Sequence, residues 1–531
     1  MGTIDNIFVL NGLITHLLNE NKRLYAAFID FSKAFDYVVR DNLWLKLIKY
    51  GVRGKILNVI IAMYKSVKSR VLYKNELSEE FECILGVRQG ECLSPFLFSI
   101  YINDLEDILR INGHKGITVG LVKMFLLIYA DDMIILSESP NDLQKGLCIL
   151  EDYCDRWKMT VNINKTKVMV FKKGGRIPTN INFKYRDRDL EIIKKFTYLG
   201  IVFTVGGSFA ETFSTLSGQA LKAMYKLQST LQRFPTISVE HSLNLFDKLI
   251  VPILSYGCEV WGLNNASSIE KVHLQFCKQI LGIRKQTMNK FVYSETGRMP
   301  IKYDTIFRVI KYWFKILKCS ENKYTKVVYN ILLNDLHINP GKLSWVSKVK
   351  QTLELYGFAD VWLAQGVGDE KLFLSMLRQR IKDNYIQIWN AQHNLSSRNE
   401  FYITFSDFGF KAYLKCITVT KFRQNLTRFR VSAHSLAIES GRWHKPHKVP
   451  KNERTCIVCD DVEDEFHFLL VCPLYKNLRK QYINKYYRTR ISMFKFVELM
   501  SSENRTILRN ISLFITKATV QRSEAIRILS N

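Results

Sequence analysis

Two adjacent aspartates, Asp131 and Asp132, sit between the short apolar runs 125–129 and 133–136. Runs of that length around a polar tip read as a hairpin of buried strands. A third acid, Asp30, closes the aromatic-rich apolar run 24–30, so it also stands at a strand end. The flanking strands are expected to bury part of the Asp131-Asp132 tip. Carboxylates buried close together are costly unless a cation neutralises them. Magnesium suits such a set, because it takes hard oxygen ligands and leaves room for phosphates. Two such ions about 4 Å apart can activate a hydroxyl and stabilise a leaving pyrophosphate.

Strands and helices alternate over the first 200 residues. Asp41 is placed to cap a helix over 43–49 that stops at Gly51. The runs 70–73 and 80–85 flank a polar turn and predict a hairpin. A single helix is expected over 94–109, with Pro95 in its first turn. Ser139-Pro140 opens another that runs to about Trp157, and 167–171 returns as a strand. Gly174-Gly175 and Gly206-Gly207 punctuate the chain. Beyond about residue 205 the pattern is mostly helical.

The chain of 531 residues is 47% hydrophobic and 12% aromatic, which excludes a disordered polymer and allows about three domains. Eleven cysteines in no tight framework fit a reducing compartment. There is no apolar run of the roughly 18 residues a membrane helix needs, and no signal-peptide pattern. An intracellular protein is expected, nuclear or cytoplasmic, with no membrane partner. Its net charge of +28 is uneven. Residues 1–200 hold 29 Lys and Arg against 23 Asp and Glu, and the remainder holds 48 against 26. A balanced front and a basic back suggest a catalytic part followed by a nucleic-acid grip.

The order of short motifs narrows the reading. Phe28-Ile29-Asp30-Phe31-Ser32-Lys33-Ala34-Phe35-Asp36 is followed by Arg88-Gln89-Gly90-Glu91-Cys92-Leu93-Ser94-Pro95 and Tyr129-Ala130-Asp131-Asp132. Then come Asn164-Lys165-Thr166-Lys167 and Phe196-Thr197-Tyr198-Leu199-Gly200. This succession resembles the palm of reverse transcriptases, most closely those of non-LTR (LINE-like) retrotransposons. The likeness continues through Tyr256-Gly257-Cys258-Glu259-Val260-Trp261 and Glu295-Thr296-Gly297-Arg298-Met299-Pro300. It implies an α/β (α+β) right-hand polymerase palm with partial fingers over 1–205 and a helical thumb over 206–300. A helical basic region over 301–445, a zinc knuckle over 446–485 and a helical basic tail over 486–531 would follow.

The resemblance also assigns roles. Asp30, Asp131 and Asp132 become the ligands of two Mg²⁺ ions, with Mn²⁺ as a substitute, and the Phe31 carbonyl an extra ligand. Phe35 corresponds to the aromatic gate that leaves no space for a 2′-hydroxyl, so dNTPs are preferred; its plainer reading is a core phenylalanine. Gln89 and Gly90 would lie against the incoming nucleotide and template. Tyr129 would sit near the primer end or simply be buried. Tyr198, Leu199 and Gly200 fall in the primer grip. Lys165 is either the general acid for pyrophosphate or a solvated charge. An RNA-dependent RNA polymerase would carry a sugar-reading Asp where this chain has Phe35, which argues against that class.

Near the C-terminus, Cys456, Cys459, His467 and Cys472 give three thiolates and one imidazole within 17 residues, a closed set suited to one structural zinc. Arg442, Trp443, Lys445 and Lys448 mix cations with a ring just before it, a composition suited to single-stranded RNA. The implied partners are an RNA template, a DNA primer or target, and dNTPs. The opening Gly2-Thr3-Ile4-Asp5 resembles the middle of the fingers, and no clustered carboxylates follow Cys472. An N-terminally truncated copy without a nuclease is therefore expected, with an inert RNA- or DNA-binding remnant as the rival reading.

Overall fold

A computed structural model describes residues 2–175, 181–234, 236–394, 401–444 and 447–530. The chain divides into two compact units. The first comprises 1–212, 257–263 and 309–366; the second comprises 213–256, 264–308 and 367–531. This division cuts across the expected 206–300 and 301–445 segments.

The first unit is built on a five-stranded sheet in the order Glu191–Ile192, Lys167–Phe171, Leu24–Asp30, Asp132–Ser137, Leu126–Tyr129. Only the pairing of Lys167–Phe171 with Glu191–Ile192 is parallel. Leu24–Ile29 are all buried, because the strand is covered on both faces. On one face, Tyr25, Ala27, Ile29 and Ile135 pack with Leu143, Leu147 and Leu150 of the helix Pro140–Trp157. That helix begins as expected, the Ser139 side chain accepting from the Asp142 amide. On the other, Phe28 packs against Phe196, ring centroids 4.4 Å apart.

The helix Thr3–Asn19 packs along Tyr324–Ile338. Its buried Asp5 accepts from the Tyr312 hydroxyl and the Lys315 ammonium, each at 3.0 Å. Those two hydrogen bonds tie the start of the chain to a segment three hundred residues away.

Three local expectations need correction. Asp41 does not cap: the helix is Arg40–Lys49, Val39 precedes it, and Asp41 lies in the first turn, where it still complements the helix dipole. The helix expected over 94–109 is broken into Ser94–Ile102 and Leu105–Ile111. The break follows from a buried charge: the Lys46 ammonium donates to the Tyr101 carbonyl at 2.7 Å and pairs with Asp104, which also accepts from the Tyr153 hydroxyl. The hairpin over 68–82 closes earlier than expected. Leu72–Tyr73 pairs with Glu76–Leu77 around Lys74-Asn75, both at positive φ, which a tight two-residue turn requires.

Among its described residues, the second unit is helical apart from a small bridge between Thr455 and Val462. At its centre the fully buried Glu295 accepts from Tyr402 (2.8 Å), Tyr413 (2.6 Å) and the Arg430 guanidinium (3.2 Å). Burial alone would raise the Glu295 carboxyl, but Arg430 and the Tyr413 phenol hold it below its ordinary value. Among the described residues, no helix is long and apolar enough to cross a membrane.

Candidate active site and cysteine–histidine centre

Asp30 ends the central strand, and Asp132 opens its neighbour as its register partner. Ala130, at φ +53, turns the chain between the strands Leu126–Tyr129 and Asp132–Ser137, leaving Asp131 in the loop and Asp132 in the strand opposite Tyr129. The tip is less buried than its sequence suggests. Asp131 and Asp132 are exposed, and the Asp30 side chain is 36% exposed. The apolar side chains of these strands turn into the sheet's faces, while the acids occupy its rim. The oxygens of the three carboxylates do not all come within 4.8 Å of one another. Partial desolvation, then the charges of Asp131 and Asp30, push the Asp132 carboxyl above its ordinary value. A set of oxygens short of positive charge is what a hard divalent cation fits.

Asp30 is fixed from behind by the segment 160–166. Its amide donates to Thr166 Oγ1 at 3.2 Å, and its carbonyl accepts from the Asn162 amide at 2.7 Å. The same turn carries Lys165, whose ammonium is 3.8 Å from an Asp30 oxygen and 70% exposed. The expected general acid and first acid are thus brought together. The Phe31 side chain is buried, and the Phe35 ring is half-buried, 5.1 Å from the Phe98 ring.

Gly86, at φ +83, lies under the Phe35 segment; a Cβ there would meet the Asp36 carbonyl at 2.7 Å. The adjoining loop reaches Gln89, which donates to Asp36 at 2.9 Å. Gly90 takes φ +89 with open space beyond it, a conformation suited to glycine alone. Tyr129 is 37% exposed, more than a core aromatic. Leu199 and Gly200, both at positive φ, make the tight turn between Lys195–Tyr198 and Ile201–Thr204. Tyr198 is buried, and among the described residues its hydroxyl has no hydrogen-bond partner.

In the second unit, Cys456, Cys459, His467 and Cys472 place their ligand atoms within 4.8 Å of one another. Cys456 and Cys472 sulfurs are 3.8 Å apart, Cys459 and Cys472 4.0 Å, and Cys459 lies 3.3 Å from His467 Nε2. Two sulfurs about 2.3 Å from a tetrahedral zinc stand about 3.8 Å apart, so the set fits. Burial keeps His467 below its ordinary value, hence a neutral ligand, and raises the Cys472 thiol to about 12. The loop is shaped by amide hydrogen bonds from Cys456 to the Asp461 carbonyl and from Asp461 to the Cys459 carbonyl, both 2.7 Å.

Residues 2–203 match the family of reverse transcriptases (RNA-dependent DNA polymerases). The chain carries a reverse transcriptase domain. It resembles the "Probable RNA-directed DNA polymerase from transposon BS" of Drosophila melanogaster, at 25% identity over 51% of this chain and 30% of that protein. It also resembles a "Retrovirus-related Pol polyprotein from type-1 retrotransposable element R2" of Popillia japonica, at 27% over 49% and 36%. The likeness is to proteins of non-LTR retrotransposons, and this chain spans about a third of the length of those two. A telomerase structure from Candida albicans aligns over 68% of this chain and 55% of that one, at 13% identity and a TM-score of 0.29, too slight for argument.

Two positioning residues of the reverse transcriptase domain were not singled out from sequence. Thr166 carries no chemistry that the sequence reveals, because its task is to receive the Asp30 amide. Arg40 donates to the carbonyls of Gly86, Tyr64 and Leu85 and clamps the loop leading to Gln89. Outside the domain, Arg442 is tied to Glu439 at 2.9 Å, Trp443 is 64% exposed and Lys448 is exposed. Lys445 lies outside the described residues.

Proposed function

We propose that this chain is the polymerase part of a non-LTR retrotransposon protein, extending a DNA 3′-hydroxyl along an RNA template with dNTPs. The observation that carries the reading is the placement of Asp30 opposite Asp132, with Asp131 in the adjoining turn and Lys165 beside Asp30. Asp30, Asp131 and Asp132 would hold two Mg²⁺ ions, which supply Lewis-acid activation of the hydroxyl and neutralise the leaving pyrophosphate. Lys165 stands ready to give that pyrophosphate a proton. Phe35 limits the space beside the sugar, and Gly90 leaves the backbone open to a nucleotide. The Lys195–Thr204 hairpin, through Tyr198 and the Leu199-Gly200 turn, supports the primer end. Cys456, Cys459, His467 and Cys472 would hold one zinc as a structural staple.

The test is primer extension on a primed RNA template in Mg²⁺, comparing the chain with Asp131→Asn. The variant should lose extension by about 10³-fold or more, since an amide cannot replace the charge that holds the ion. Equal extension by both, with contaminating polymerase excluded, removes Asp131 from catalysis. No extension by the parent chain leaves the inert nucleic-acid-binding remnant as the reading.

A further inference from the structure

The loop 432–436 separates two cavities in the second unit, of about 360 and 390 Å³. Both volumes lie in the ~300–1,000 Å³ range of ligand sites. Arg284, Ala433, His434 and Ser435 line both, so the cavities adjoin. The first is lined by Phe429 and Phe468 together with Arg428 and Arg522. The second carries Trp443, 64% exposed.

The charges here are unbalanced in one direction. The carboxylates described beside the cavities already have partners: Glu439 pairs with Arg442, Glu463 with Arg522, and Glu465 lies 2.9 Å from His434 Nε2. Arg284 and Arg428 are exposed and, among the described residues, neither is in an ion pair. Arg428 gives only its Nε–H, to the Gly282 carbonyl. Two uncompensated guanidiniums suit successive phosphates, and an exposed indole suits a base.

We propose that the two cavities form one groove for single-stranded nucleic acid, with Arg284 and Arg428 on its phosphates and Trp443 under a base. The partner's class rests on the reading of this chain as a nucleic-acid enzyme; the groove itself does not need an active polymerase. It lies apart in sequence from the carboxylates and from the polymerase motifs. A loop that presents its backbone between two basic walls reads no particular sequence.

The test is fluorescence anisotropy of the full chain with a short labelled single-stranded RNA and its DNA counterpart, over a range of salt and without dNTPs. Arg284→Ala with Arg428→Ala should flatten the log–log salt slope by about 1.4, at about 0.7 per phosphate contact. Trp443→Ala should weaken binding about 5- to 150-fold at an unchanged slope, and Trp443→Phe should restore most of it. Because these side chains are exposed, their truncation leaves the core alone. A second measurement needs no variant: 4-thiouridine RNA should photocrosslink within 282–287 or 425–443.

Equal binding of RNA and DNA, or a preference for RNA, both support the groove. Unchanged affinity and slope in the variants, crosslinks confined elsewhere, or equal competition by polyglutamate overturn it. Failure of primer extension leaves these readouts untouched, so the two readings fail separately.

Discussion

Asp30 and Asp132 face each other as partners in an antiparallel ladder, so the distance between their carboxylates is set by backbone pairing and not by a loop. Side chains directly opposite on such a pair emerge on the same face, with Cβ atoms about 4.5–5.5 Å apart, and like charges there repel. The sheet therefore holds two acids close together, and Asp131 adds a third from the turn. This arrangement places like charges together, which cations would relieve.

That tension is measurable as a dependence on pH. The Asp132 carboxyl is raised above its unfolded value, so between the two values the folded chain binds more protons than the unfolded one. The contribution is present at low pH and lost as pH rises through the raised value. In EDTA, Asp132→Asn should melt with the parent in acid but about 1–2 °C above it at neutral pH, a small gap because the group is exposed to screening. Millimolar Mg²⁺ should raise the parent's melting temperature and leave the variant's unchanged. A gap that grows towards acid would contradict the assignment.

Sugar selection tests Phe35. In an active chain, Phe35→Val should raise incorporation of rNTPs relative to dNTPs on one template, by about two orders of magnitude if the lost contact is worth ~3 kcal/mol. The ring also packs against Phe98, so the variant should lose about 1–3 kcal/mol of stability. Loss of stability with an unchanged ratio returns Phe35 to an ordinary packing role.

Zinc chemistry is checked with cobalt. Co²⁺ added to the metal-free full chain should give thiolate charge-transfer absorption, displaced by Zn²⁺, and Cys472→Ser should weaken it and lower the melting temperature by several degrees. Binding should release protons, since burial raises the Cys472 thiol to about 12 and it must ionise to bind. The peptide 446–485 alone should stay poorly packed even with zinc. Phe468 packs near Phe429 (5.6 Å) and Phe514 (6.1 Å), and Glu463 binds Arg522; these three partners, Phe429, Phe514 and Arg522, lie outside that segment. A well-dispersed zinc-bound spectrum of the peptide would sink this expectation.

Periodicity made the central strands and the helix Pro140–Trp157 legible, since each buries an unbroken apolar run or stripe between clear stop signals. The four zinc-type ligands were legible because Cys and His at such spacing have few other uses. Short-range signals misled where distant residues decide. Asn103-Asp104 give only a weak local signal for a helix break; Lys46, nearly sixty residues earlier, binds the Tyr101 carbonyl and Asp104 there. Thr166 and Arg40 escaped notice for the same reason, because they act on backbone groups that the sequence does not bring beside them. The exposure of Asp131 and Asp132 was misjudged because strand flanks say which residues are buried, not where the sheet's rim lies.

The bonds from Asp5 to Tyr312 and Lys315 carry a consequence for how the chain comes off the ribosome. The matched family region ends at residue 203, yet the first helix finds its cover only when 309–366 has been made. At about 5–20 residues per second, the roughly 160 intervening residues take about 8–30 s to synthesise. Through that interval Phe8 waits without Tyr312 and Trp345, the rings it packs against in the finished fold. Nascent chains should accordingly recruit chaperones in this window, and an expression boundary drawn at residue 203 would make the exposure permanent.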